Sequence, residues 1–168
     1  RGDITGTSHG LAMAPYIREG RRLLGVTRVV EQDMSHAVRG DQGAVHYRDS
    51  VGVGMYRIDL HPSTGGDNYI DVPSCPFEIP LGALLPRRIT NLLAGGKNIA
   101  STHITNGCLR LHPVEWNVGE VAGMLAAHCL AHATTPHAVQ ADDARLATFQ
   151  AMLARAGVET RWPDVRAY

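Results

Sequence analysis

Asn91-Leu92-Leu93-Ala94-Gly95-Gly96-Lys97-Asn98-Ile99-Ala100 reads as a buried strand that runs into a two-glycine turn. The apolar run is short enough for one strand. The two glycines after it leave backbone without Cβ atoms, so atoms of another molecule can approach closely. In open α/β sheets, ligands sit at the carboxyl ends of strands. Gly95, Gly96, Lys97 and Asn98 are therefore candidate binding residues. A plain tight turn after a core strand would use the same letters, so the surroundings must decide.

Downstream, Arg110-Leu111-His112-Pro113 leads to Asn117-Val118-Gly119-Glu120-Val121-Ala122-Gly123. The spacing of Ala122, Leu125, Ala126, Cys129 and Leu130 predicts a helix over residues 117–133, with Asn117 as its cap. A helix N-terminus offers unpaired N–H groups and roughly half a unit of positive charge. Gly119 and Gly123 bare one face of this helix for close packing on a sheet. A second amphipathic helix is expected over residues 142–156, with Leu146, Phe149, Met152 and Leu153 on one face and Gly157 stopping it. Residues 99–111 follow no clear period.

Upstream, residues 25–30 are β-branched and residues 50–61 alternate apolar with small or polar, so both read as strands. Residues 69–72 and 77–80 read as short edge strands, and residues 81–85 as a helical turn ending at Pro86. Residues 31–49 suit a short helix followed by loop, and residues 62–68 are loop by turn chemistry. Asp59 and His61 fall on one face of their strand. A carboxylate beside an imidazole can set its tautomer and suit it to general-base work. His103, Arg110 and His112 supply a further polar group close in sequence to the glycine turn. The pattern is an α/β class, α+β within this stretch: an antiparallel or mixed sheet first, then a strand–Gly-Gly–helix layer.

Composition removes several classes. Lys+Arg is 16 and Asp+Glu is 16, so the net charge is +0, which disfavours a nucleic-acid surface. No run of 18 apolar residues suggests a membrane span. Cys75, Cys108 and Cys129 form no CxxC pair, so no zinc site or disulfide framework is indicated. His128 and His132 are four apart on a helix, but no third ligand accompanies them, so helix surface is the expectation and no metal site is assigned. Gly6-Thr7-Ser8-His9-Gly10 fits GxSxG but lacks the core strand that a nucleophile elbow requires. No GxGxxG follows any strand and no Walker sequence is present. The chain opens on Arg1, and residues 1–10 show neither period, which reads as the middle of something longer.

Three segments together resemble an FAD-dependent oxidoreductase family. They are Pro15-Tyr16-Ile17-Arg18-Glu19-Gly20-Arg21-Arg22-Leu23, Asp49-Ser50-Val51-Gly52-Val53-Gly54-Met55-Tyr56-Arg57-Ile58-Asp59-Leu60-His61 and Asn91-Leu92-Leu93-Ala94-Gly95-Gly96-Lys97-Asn98-Ile99. The resemblance continues through Arg110, Pro113 and Gly119-Glu120-Val121-Ala122-Gly123, and covers the C-terminal half of the family pattern. It implies a glutathione-reductase-like fold: substrate-domain strands and loops in residues 1–90, the end of a Rossmann-like FAD domain in 91–133, and a helical tail in 134–168. It implies FAD as cofactor in the complete enzyme, near Gly95, Gly96, Lys97, Asn98, His103, Asn117, Val118 and Gly119. The helix N-terminus would face the flavin pyrimidine edge. Lys97 stands where many flavoproteins of the wider class place an acid.

The activity implied is hydride transfer from a small, sugar-like substrate, with His61, Asp59 and Arg110 as the catalytic group. Without its own GxGxxG, the chain would need a missing N-terminal FAD-binding segment or subunit. The alternative is a non-catalytic fragment or accessory subunit that binds no cofactor alone. Expected partners are that segment, a small-molecule substrate and a second copy in a homo-oligomer, with no nucleic acid and no membrane. A cytoplasmic location is expected.

Overall fold

The computed structural model describes residues 1–14, 17–18, 20–62, 65–66 and 69–163. Pro15, Tyr16 and Glu19 of the first resembling segment, and Ser63, Thr64, Asp67 and Asn68 of the loop after His61, lie outside the described residues. Two small antiparallel sheets and a set of helices share one hydrophobic core. Strand β1 (Ser50–Gly54) pairs with β4 (Phe77–Pro80), with Gly52 opposite Ile79, Gly54 opposite Phe77 and a bulge near Ser50. Strand β2 (Ile58–Leu60) pairs with β3 (Ile70–Val72). The expected single strand over residues 50–61 is thus two strands in different sheets, broken at Met55–Arg57, where Met55 and Tyr56 are exposed. In the second sheet Asp59 stands opposite Asp71, a repulsive pair. Each carboxylate has an arginine to offset it: Arg57 Nε lies 2.5 Å from Asp71, and Arg110 lies 3.7 Å from Asp59.

The helices are α1 (Gly2–Thr5), α2 (His36–Arg39), α3 (His103–Leu109), α4 (His112–Ala131), α5 (Pro136–Ala141) and α6 (Asp143–Arg155). The one turn of α1 falls in the stretch that showed no period, and it confirms that no core strand precedes Gly6. Three-residue 3-10 turns form at Glu31–Asp33, Gly40–Gln42 and Leu81–Ala83. Helix α6 matches its expected range. Asp142 caps it by accepting from the Arg145 N–H at 2.9 Å, and Gly157 leaves it at φ +85°.

Helix α4 starts five residues earlier than expected. Pro113 occupies its first turn, where a missing N–H costs nothing. Asn117 is therefore in the second turn and is no cap. Its buried face carries Val114, Val118, Val121, Leu125 and His128, and it rests on β1. That contact needs bare glycines on the strand: a Cβ on Gly52 would overlap the Asn117 side chain, and one on Gly54 would meet Phe77 and Val114. Gly119 is also close-packed, since a Cβ there would lie 3.3 Å from the Gly95 carbonyl, whereas Gly123 is exposed and faces open space. The expectation that both glycines press on a sheet fails at both, since Gly119 packs against the Gly95 turn and Gly123 against nothing.

Residues 25–30 and 91–94 are not strands. The first runs extended between two neighbours, with Val26 N–H to Leu85 O at 2.9 Å and Val29 N–H to Ala100 O at 2.9 Å, but forms only isolated bridges. In the second, Ala94 N–H donates to Leu84 O at 2.9 Å, while Leu92 is 48% exposed. The segment before Gly95 is therefore an extended edge, half in the core and half on the surface. No helix among the described residues is long and apolar enough to cross a membrane.

Candidate flavin-binding ledge and proton-handling cluster

Helix α3 organises the site. Its start is fixed by a reciprocal cap: Thr105 N–H donates to Thr102 Oγ1 at 3.0 Å, and Thr102 N–H donates to Thr105 Oγ1 at 2.9 Å. Thr105 through Leu109 are all buried. Gly107 lets the helix lie directly on β2, because a Cβ there would come within 2.9 Å of both Asp59 N and O. Backbone cannot yield as a side-chain end can, so this position requires glycine. The docking delivers Arg110, the C-cap residue, to the end of β2.

There the three expected catalytic residues meet. Arg110 is 4% exposed. Its guanidinium donates to the Asp59 carbonyl at 3.0 Å and lies 3.7 Å from Asp59 Oδ2 and 3.5 Å from His61 Nδ1. A guanidinium can only donate, so the facing His61 Nδ1 presents its lone pair and Nε2 carries the ring hydrogen. Asp59 Oδ1 is buried with no hydrogen-bond partner. Arg110, rather than direct Asp59–His61 pairing, ties the cluster together.

The same helix reaches the glycine turn. Asn106, buried on α3, donates its side-chain N–H to the Lys97 carbonyl at 3.3 Å. Gly95 and Gly96 form a ledge beside Gly119, and a Cβ on either would meet nothing within 4 Å. Neither has positive φ. Among the described residues nothing requires glycine at these two positions, which suits a surface left bare for a ligand. Ser101 Oγ and Asn106 Oδ1 are buried without partners on the elements around it, whereas Asn117 Oδ1, also unpartnered, points at β1, where it fills the space a Gly52 Cβ would take. A bare ledge flanked by orphaned polar atoms fits a large polar cofactor.

The other expected contacts divide. Lys97 is half-buried and Asn98 exposed on the ledge itself. Val118 is 1% exposed and its side chain belongs to the core, and because α4 starts at His112 the N–H groups of Val118 and Gly119 lie past the unpaired first turn, so the helix end expected to face the flavin is not at these residues. His103 is exposed in the first turn of α3, with Arg110 seven residues on, about 10 Å away along the helix. His128 was expected on a helix surface, but it is 6% exposed. Asn106 and Ser101 were not singled out from the sequence; Thr102 and Thr105, at capping-box spacing, were the available sign of a helix start.

The FAD dependent oxidoreductase family model matches residues 4–153. The chain belongs to that family. FAD is accordingly the cofactor of the complete enzyme, and the activity class is flavin-dependent oxidoreduction. No curated protein and no solved structure matches the chain. The three cysteines are buried and free. Burial pushes the Cys108 thiol up to about 12, so it has no character as a nucleophile. No group of three metal-ligating side chains occurs among the described residues.

Proposed function

We propose that this chain supplies the flavin-contacting ledge and the proton-handling cluster of an FAD-dependent oxidoreductase acting on a small molecule with a hydroxyl- or amine-bearing carbon. The observation that carries this reading is α3. Through Asn106 it holds the Lys97 carbonyl of the ledge, and through Gly107 and Arg110 it holds Asp59 and His61. One rigid helix thus fixes the distance between a cofactor surface and a titratable cluster. Residues 1–90 would form the substrate side, 91–133 the cofactor side and 134–168 a supporting tail.

Bound FAD would accept the substrate's hydride. Gly95, Gly96, Lys97 and Asn98 would line it, with Gly119 packed against the Gly95 carbonyl in support. His61 would take the hydroxyl or amine proton at Nδ1 as the hydride leaves. Arg110, by shifting its hydrogen bonding toward Asp59, whose carboxylate is 3.7 Å away, would first free the Nδ1 lone pair for that proton. The GxGxxG fingerprint is not in this sequence, so a further segment or subunit supplies that part of the cofactor site.

Two substitutions test the reading in the flavin-loaded enzyme. Gly96→Val places a side chain in space that this chain leaves open. It should weaken FAD binding about tenfold or more while leaving the melting temperature unchanged, because the clash is with cofactor alone. His61→Ala should slow anaerobic flavin reduction by substrate by roughly 10²–10⁴-fold and leave FAD binding intact. Normal FAD binding in the first variant removes the ledge from the site. Normal reduction in the second removes His61 from the chemistry.

A further inference from the structure

An open surface pocket of about 280 Å³ lies at the far end of α4 from the ledge, with His128 buried at its base and His132, Arg145 and Thr148 exposed around it. It is lined by His128, His132, Ala133, Thr134, Arg145 and Thr148. Gly119 and His128 are nine residues apart on one helix, about 13 Å. The lining holds one permanent cation, two imidazoles and two hydroxyls, and no carboxylate. We propose that this pocket binds a small oxyanion of the sulfate or phosphate type, free or as the terminal group of a larger molecule.

The hydrogen-bond inventory favours an acceptor-rich guest. Arg145 donates to Thr134 Oγ1. That oxygen is thereby an acceptor already, and its own hydrogen remains for a guest, whereas Thr148 Oγ1 donates its hydrogen to the Ala144 carbonyl at 2.9 Å and offers none. The His128 ring is stacked on His132 at 4.2 Å and tilted against Phe149 at 5.4 Å, and among the described residues its nitrogens make no hydrogen bond although the residue is 6% exposed. His132 Nδ1 donates to the His128 carbonyl at 2.9 Å, so its Nε2 presents a lone pair and can donate to a guest only when the ring is protonated. The negative end of α4 is blunted, because His128 O and Cys129 O receive the His132 and Thr134 N–H groups.

Other charges nearby are engaged. His137 on α5 is turned to the Pro86 carbonyl, Asp142 caps α6, and Asp143 pairs with Arg48. Burial and the neighbouring His132 hold the His128 imidazole below its usual range, so the ring is neutral near pH 7. An oxyanion beside it would favour proton uptake, and binding should tighten as pH falls. A divalent metal on the two imidazoles is less suited, because the Arg145 guanidinium would repel it.

The test uses the imidazole resonances of the full chain, titrated with sodium sulfate against sodium chloride at equal ionic strength. Sulfate should give saturable shifts at His128 and His132 and raise the His128 titration midpoint, and Arg145→Gln should weaken binding about tenfold. Thr134→Val should also weaken it, and serves if the arginine variant does not fold. Glycerol phosphate binding more tightly than inorganic phosphate would show a terminal group as the guest; equal binding would show a free ion. Shifts no larger than those in chloride, or unaltered binding in the variants, would overturn the proposal. Saturation by zinc with no response to sulfate would replace it with a metal pair. None of these readouts involves flavin, so failure here leaves the ledge and the His61 cluster untouched.

Discussion

Ala133 has φ 47°, in the left-handed region, where it ends α4. The Thr134 N–H reaches back to the Cys129 carbonyl at 3.0 Å, a helix stop that ordinarily uses glycine. The Cβ of alanine makes that conformation cost about 1 kcal/mol. Ala133→Gly should therefore raise stability in urea by about 0.5–1 kcal/mol, with an unchanged slope. His128 carries a pH effect of known sign. Its folded imidazole binds a proton less readily than the unfolded one. Below the unfolded value of about 6.5 the unfolded chain takes up more protons, so stability falls as pH drops, while above it this group contributes no slope. His128→Gln in chloride buffer should flatten the urea midpoint between about pH 6.5 and 5; an unchanged slope would assign acid sensitivity elsewhere. Burial also raises the thiols of Cys75, Cys108 and Cys129. A thiol reagent should label none of them in the native chain and all three in denaturant.

Among the elements, α3 decides the site, and it was the least legible in the sequence. Five of its seven residues are buried, including the polar Thr105 and Asn106, so no apolar stripe stands out against a polar face. The adjacent catalytic candidates were legible for a simple reason. Strand alternation places Asp59 and His61 together regardless of where the strand ends, and β2 keeps that register although it holds only three residues. The start of α4 was misread because Asn117 is a good cap by type, while the actual start has Pro113 in the first turn and no side-chain cap. The run before Gly95 suggested a strand because apolar letters usually mean burial, yet Leu92 is largely on the surface. Gly107 tests the element itself. Gly107→Val would drive side-chain atoms into the Asp59 backbone and should cost about 1–3 kcal/mol. It should also slow flavin reduction by moving Arg110 off His61. A variant with native stability would show that α3 does not lie on β2.

At the scale of the whole molecule, two-stranded sheets are marginal alone and need cover. The β1–β4 pair is covered on one side by α4 and is held elsewhere by the chain's C-terminal arm. Ser50 Oγ donates to the Thr160 carbonyl at 2.5 Å, and Arg161 lies 3.4 Å from the buried Glu78 carboxylate. That carboxylate also receives His46 Nδ1 at 2.9 Å and the Tyr47 N–H at 2.8 Å, so its charge is well solvated by protein donors. Trp162 Nε1 donates to both Gly54 O and Phe77 O, each at 3.1 Å. These two residues are the last pair of the ladder. The indole therefore satisfies two carbonyls that would otherwise meet water at the sheet's end, and its ring adds apolar cover. Replacing Trp162 by Phe keeps most of the cover and loses the N–H, which should cost about 1 kcal/mol. Replacing it by Ala loses both and should cost about 2–4 kcal/mol, somewhat below the loss at a full core position. Urea unfolding of the two variants separates the hydrogen bonds from the packing. Midpoints equal to wild type in both would mean that the arm does not hold the β1–β4 sheet, and the stability of that sheet would then rest on α4 alone.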